Sequence, residues 1–169
     1  MKVGFSGLNI PEGKIKYEDV ILSNLVNKDK PKKVSPFFIE FLKDEYVHTQ
    51  AIVIHSDALL DLLILDIEKI ENRINRLVEK NEIALLNRCL EHLENEKPLC
   101  EIQYNETEAD ILKELSPYSY KPVIQINENQ NINNMIKSIL KETGNMFFYT
   151  SGSSESRSWL VPRGSDIIS

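Results

Sequence analysis

Gln50-Ala-Ile-Val-Ile-His-Ser56 restricts what this chain can fold into more than any other stretch. A short, unbroken apolar run between polar residues is the pattern of a strand buried on both faces, with paired neighbours and covering layers. The period then changes. From Asp57 to about Glu94 the apolar residues recur every three or four positions, through Ile67, Ile70, Ile74 and Leu77, then Leu86, Leu90 and Leu93. Glu79–Glu82 is polar enough to turn the chain between them, which predicts two antiparallel helices with a charged outer face.

Shorter signals fill in the rest. Lys2–Phe5 reads as a strand, and Gly7–Gly13 as a turn holding Pro11 and two glycines. Tyr17–Asn27 has the spacing of a short amphipathic helix, and Pro36–Leu42 alternates as a strand does. Asn105 with Glu108 three residues on predicts a capped helix through Leu115. Lys121–Asn127 reads as a strand, Asn131–Gly144 as a helix closing on its glycine, and Met146–Ser151 as a last strand. Strands alternating with helices mean an α/β fold with a largely parallel sheet, into which an antiparallel helical hairpin is inserted.

The chain has 169 residues, enough for one domain with a real core. The expected division is an α/β core over residues 1–56 and 117–151, a hairpin insertion over 57–116, and a linker with an expression tag over 152–169. Leu160-Val-Pro-Arg-Gly-Ser165 matches a thrombin cleavage site and the residues before it are linker-like, so Gly152 onward is set aside. The net charge of −6 survives that removal and argues against general affinity for DNA or RNA, which needs cations to displace counterions from phosphates. The basic cluster Lys28–Lys33 reads as a solvated loop. No apolar run reaches membrane-spanning length, and no signal peptide is evident. Cys89 and Cys100, at no metal-like spacing, suit reduced thiols in a cytoplasm.

Five stretches in order resemble one family, the YchF or Obg-like ATPases, translation-associated P-loop GTPases. Lys30–Phe41 resembles the strand leading to the family's Walker B aspartate, and Gln50–His55 the next strand of its nucleotide domain. Asp57–Leu77 and Leu90–Leu99 are similar to the two arms of its coiled-coil insertion, and Lys121–Asn127 to the strand carrying its base-recognition motif. The likeness spans roughly Lys2–Ser151 and implies a reduced P-loop NTPase-like fold, without the family's ubiquitin-like TGS domain.

The family's chemistry does not carry over with the fold. A phosphate loop needs Gly, four residues, Gly-Lys, then Ser or Thr, so that backbone N–H groups and the lysine reach phosphate and the hydroxyl holds Mg²⁺. Here five residues separate Gly7 from Gly13, Pro11 has no N–H to donate, and Ile15 follows Lys14 where the hydroxyl belongs. The helix that should follow, with its anion-favouring N-terminus, has no room. Lys43 stands at the Walker B aspartate position, with Asp44 out of register. Asn127 matches the family's base-recognition asparagine, but its acidic partner falls at Gln130. Gly7, Gly13, Lys14 and Asn127 are therefore remnant cofactor-binding positions, and His48 and His55 read as structural.

The expected function is that of a pseudo-GTPase: no catalysis, no cofactor, no metal, and a role in interaction or regulation. The resemblance implies a protein partner, the ribosome or a full-length family member. The alternative is a module that binds ATP or GTP weakly without hydrolysis. A last expectation follows from chain length. The strands ending near Leu42 and starting near Gln50 are parallel in the family, with another strand between them. Their connector must cover roughly 20 Å, and Lys43–Thr49 spans about 23 Å fully extended. Either the segment is stretched taut across one face or one strand has reversed, and the taut crossing is favoured because Gln50–His55 still reads as fully buried. That face then lacks covering helices, and a second copy of the chain is expected to hide it.

Overall fold

A computed structural model describes residues 1–76, 79–128 and 130–162. Leu77, expected in the hairpin core, lies outside the described residues, as does the end of the suspected cleavage site from Arg163 on. In chain order the elements are β1 (Lys2–Ser6), β2 (Gly13–Lys16), α1 (Val20–Asp29), β3 (Lys33–Ser35), β4 (Phe38–Lys43) and β5 (Ala51–His55). There follow α2 (Ser56–Ile74), α3 (Lys80–Glu94), α4 (Glu106–Leu115), β6 (Val123–Ile126), α5 (Ile132–Glu142), β7 (Asn145–Ser151) and β8 (Glu155–Pro162). The main sheet has the order β2-β4-β1-β5-β6, parallel except for β2 at one edge. The expected α/β architecture is present.

Local chemistry sets the helix starts. The Asp19 carboxylate accepts from the N–H groups of Ile21 and Leu22 at the head of α1. Asn105 and Glu108 close the predicted capping box on α4. The core has two halves, one on each face of the sheet. On one face Val3, Phe5, Ile39, Phe41, Val53 and Ile126 pack against Met135, Ile136, Ile139 and Leu140 of α5. On the other, Ile52 and Ile54 meet Leu59, Leu62 and Leu63 of α2, and the cluster continues through Ile70, Leu86, Cys89 and Leu93 between α2 and α3. The buried Asp66 carboxylate ties α2 to the segment before β6 by accepting from the N–H groups of Tyr118 (2.7 Å) and Ser119 (2.8 Å). Burial pushes that carboxyl above its ordinary range, and those bonds and Lys69 oppose the shift.

β4 and β5 both run parallel to β1, which lies between them, so the taut crossing is found. The segment leaves β4 with Asp44 N–H on Phe5 O and rejoins the ladder with Gln50 N–H on Lys2 O. Between those points it runs so close to β1 that a Cβ on Gly4 would sit 1.9 Å from the carbonyl oxygen of Glu45. Only glycine fits there. Lys121 straps the segment down, its ammonium donating to the carbonyls of Tyr46 and Thr49, and desolvation lowers its pKa.

The expectation of an open sheet face holds in part: the crossing covers β1 and α2 covers β5, while Phe38 of β4, on the same face, is 45% exposed. Residues 152–162 are not a bystander. β8 pairs antiparallel with β7 and parallel with β3, Ser156 and Ser158 are buried, and Leu160 packs on the core. Met146–Ser151 is a strand as expected, within β7 of this second sheet, ordered β3-β8-β7. Tyr149 (2.6 Å to Asp19) and Ser151 (2.6 Å to Asp29) bond it to α1.

Gly4→Ala is expected to destabilise the protein by about 2–3 kcal/mol or more, because the backbone it strikes cannot rotate away. Chemical denaturation measures this. A midpoint unchanged from wild type would show that the crossing does not lie against β1.

Candidate functional site

Open α/β sheets bind ligands beyond the carboxyl ends of their strands, where the strand order reverses. The chain leaves β1 toward β4 and β2, and leaves β5 toward β6, so the reversal falls between Gly7 and Ser56. At that reversal the side chains of His55 and Ala58 lie close to Gly7. Gly7 has φ 72°, and a Cβ there would lie 3.0 Å from Ala58 Cβ and 3.1 Å from His55 Cβ. The first turn of α2 thus rests directly on the residue that should open a phosphate loop.

His55 fixes that turn. Its Nδ1 accepts from Asp57 N–H at 3.0 Å, an N-cap bond, while the Asp57 carboxylate lies 3.5 Å from the same nitrogen. One Nδ1 cannot both accept a proton and offer one. The cap bond is the better defined, since the Asp57 side chain is 93% exposed and solvated. Ser56 then donates to Asn127 Oδ1, joining the ends of β5 and β6. Asn127 is exposed, as is Gln130, and the side-chain carbonyl of Asn127 is already engaged.

The other remnant positions lie elsewhere. Gly13 opens β2 with φ 104°, and a Cβ there would meet nothing within 4 Å. Lys14 sits within β2, opposite Glu40 in the antiparallel ladder. Since β4 lies between β2 and β1, Lys14 is about 10 Å from the strand that Gly7 ends. The turn runs straight into a strand, so no helix N-terminus points its N–H groups at this edge after Gly13. Gly7 and Asn127 share the carboxyl edge of the sheet; Gly13 and Lys14 do not converge on them.

Lys43, at the Walker B position, is exposed at the end of β4. Asp44 adopts φ 55° and accepts from Ser6 Oγ at 2.7 Å. With the Ser6 proton so committed, Tyr46 donates to Ser6 Oγ, and burial raises the pKa of its phenol. This chain of hydroxyls could polarise Ser6, yet Ser6 is only 6% exposed and offers a substrate no approach. It locks the ends of β1 and β4 to the crossing. His48 has an exposed side chain in the crossing. Among the described residues no group of three or more His, Cys, Asp or Glu is placed to hold a metal, and no helix is long and apolar enough to cross a membrane. Five surface cavities of about 320–500 Å³ are lined without Gly7, Gly13, Lys14 or Asn127. The closing role of Ala58 and His55 had one signal in the sequence, the absence of any loop between β5 and the helical period.

The sequence matches no protein-family model and no curated protein. Among solved structures, the fold is similar to that of the Schizosaccharomyces pombe YchF GTPase, with a TM-score of 0.73 and 14% sequence identity. The match covers 98% of this chain and 81% of that one. The YchF-like fold expected from the five stretches is therefore present.

Gly7→Ala is expected to cost about 1–3 kcal/mol through strain at positive φ and contact with α2, while Lys14→Ala stays within about 0.5 kcal/mol. Equal effects in denaturation would contradict the placement of the two residues.

Proposed function

We propose that this chain is a non-catalytic module built on a YchF-type GTPase-domain fold, which acts by interaction or regulation in the cytoplasm. What supports the reading is the close approach of Ala58 and His55 to Gly7, which sets the end of β5 and the first turn of α2 against the residue whose backbone would have to meet a triphosphate. The exposed Lys43 at the Walker B position and the displacement of Lys14 into an edge strand support the same reading, since phosphoryl transfer depends on a positioned Mg²⁺ and on cations beside the transferred group. The work of the module is to present surfaces to a protein partner. From the family likeness, that partner is the ribosome or a full-length relative.

Calorimetry with Mg²⁺–ATP and Mg²⁺–GTP tests the reading. The expected result is no heat of binding, or dissociation constants weaker than the low micromolar range, which corresponds to about −8 kcal/mol. Tighter binding would mean that α2 moves off Gly7, and would favour a module that holds nucleotide near Asn127 without hydrolysing it.

A further inference from the structure

The two edges of the main sheet are treated differently. β2 ends one side with Lys14 and Lys16 exposed, the usual device by which an edge strand is kept from pairing with another chain. β6 ends the other side as Val123-Ile124-Gln125-Ile126, without a charge in it. Its ladder can be read residue by residue. Ile52 N–H donates to Pro122 O at 2.9 Å, and Ile52 stands in register with Val123. A parallel pair then turns the N–H and C=O of Ile124 toward β5 and those of Val123 and Gln125 outward. Val123 N–H points at Cys100 Sγ. The outward groups of Gln125 meet no strand among the described residues.

A groove of about 500 Å³ follows this edge. Ser138 and Glu142 of α5 form one wall, Cys100 and Glu101 the other, and the strand is its floor. Among the described residues its only charged side chains are the two glutamates. Glu101 lies 3.8 Å from His92 Nε2, but that nitrogen is 2.9 Å from Pro98 O, so the carboxylate remains open to a stronger cation. A second copy of the chain is a poor occupant, because its β6 would bring two more glutamates and a net charge of −6.

We infer that β6 is a docking edge for an extended, basic segment of a partner protein, which adds to the main sheet as a sixth strand. The inference rests on the interaction reading above and gives its partner a chemistry. The segment's backbone pairs with the outward groups of Gln125 and its neighbours, as in other complexes formed by strand addition. Successive side chains of a strand point to opposite faces, and Glu142 and Glu101 lie on opposite faces of the sheet. A pair of adjacent lysines or arginines therefore places one cation against each glutamate.

Fluorescence anisotropy tests this with a labelled decapeptide of valine and threonine around a central Lys-Arg pair, beside the same peptide with Glu-Glu. The basic peptide is expected to bind saturably, and at least about tenfold more tightly than the acidic one. Gln125→Pro removes an N–H that the fold itself does not use. It is expected to weaken binding about tenfold with an unchanged melting temperature. Should that variant unfold, the Glu101→Lys, Glu142→Lys pair serves instead, and is expected to reverse the preference between the peptides. Equal binding of both peptides, or wild-type affinity in Gln125→Pro, would overturn the inference. So would self-association that Gln125→Pro abolishes, which would give the edge to a second copy. The assay contains no nucleotide, so its failure removes the docking edge and leaves the calorimetric result standing.

Discussion

The close passage of Glu45 over Gly4 is the contact on which the rest of the arrangement depends. A parallel pair with a strand between its members normally needs a helical crossover, and the residues between β4 and β5 are too few for one. The chain meets this by lying flat on β1, where the absence of a Cβ lets backbone approach backbone. The flat crossing needs its polar groups satisfied, and Lys121, Ser6 and the ends of the two ladders do that. A residue with any side chain at position 4 would lift the segment and, with it, the register of β5.

The carboxyl edge of the sheet is built as closely. β5 runs directly into α2, and the first turn of α2 rests on Gly7. Gly7 thus serves to seat a helix at the carboxyl end of β1. The same economy leaves β6 as an uncharged edge, while the last two strands build a separate sheet with β3 on α1.

Much of this was legible in the residues. The unbroken apolar run of β5, the three-and-four rhythm of α2 and α3, and the Asn105–Glu108 cap each report a single strong physical constraint, and each was placed correctly. The crossing was readable as arithmetic, but not its partner: nothing in Lys2-Val-Gly-Phe5 announces a close approach to Glu45. β2 hid inside a motif template, because Gly13-Lys14-Ile15-Lys16 invites comparison with a phosphate loop before it is read as alternation. β8 was lost for a related reason. Its inward positions are Ser156 and Ser158, small polar residues invisible to a hydrophobic period, and Ser156 Oγ lies 2.7 Å from Ser151 Oγ. Next to them, Arg157 stacks on Trp159 with 3.6 Å between guanidinium and ring. Leu160–Pro162, the described part of what looks like a cleavage site, is strand because its backbone pairs with β7.

Native-state amide hydrogen exchange across residues 44–50 tests the central claim most directly, since it asks whether the crossing is part of the core or an ordinary surface loop. The amides of Asp44 and Gln50 donate to Phe5 and Lys2 of β1. Both are expected to exchange only through global unfolding, with the same protection as the amides of β1 and β5. Exchange of these two amides by local opening, while the strands stay protected, would contradict a crossing built into the core.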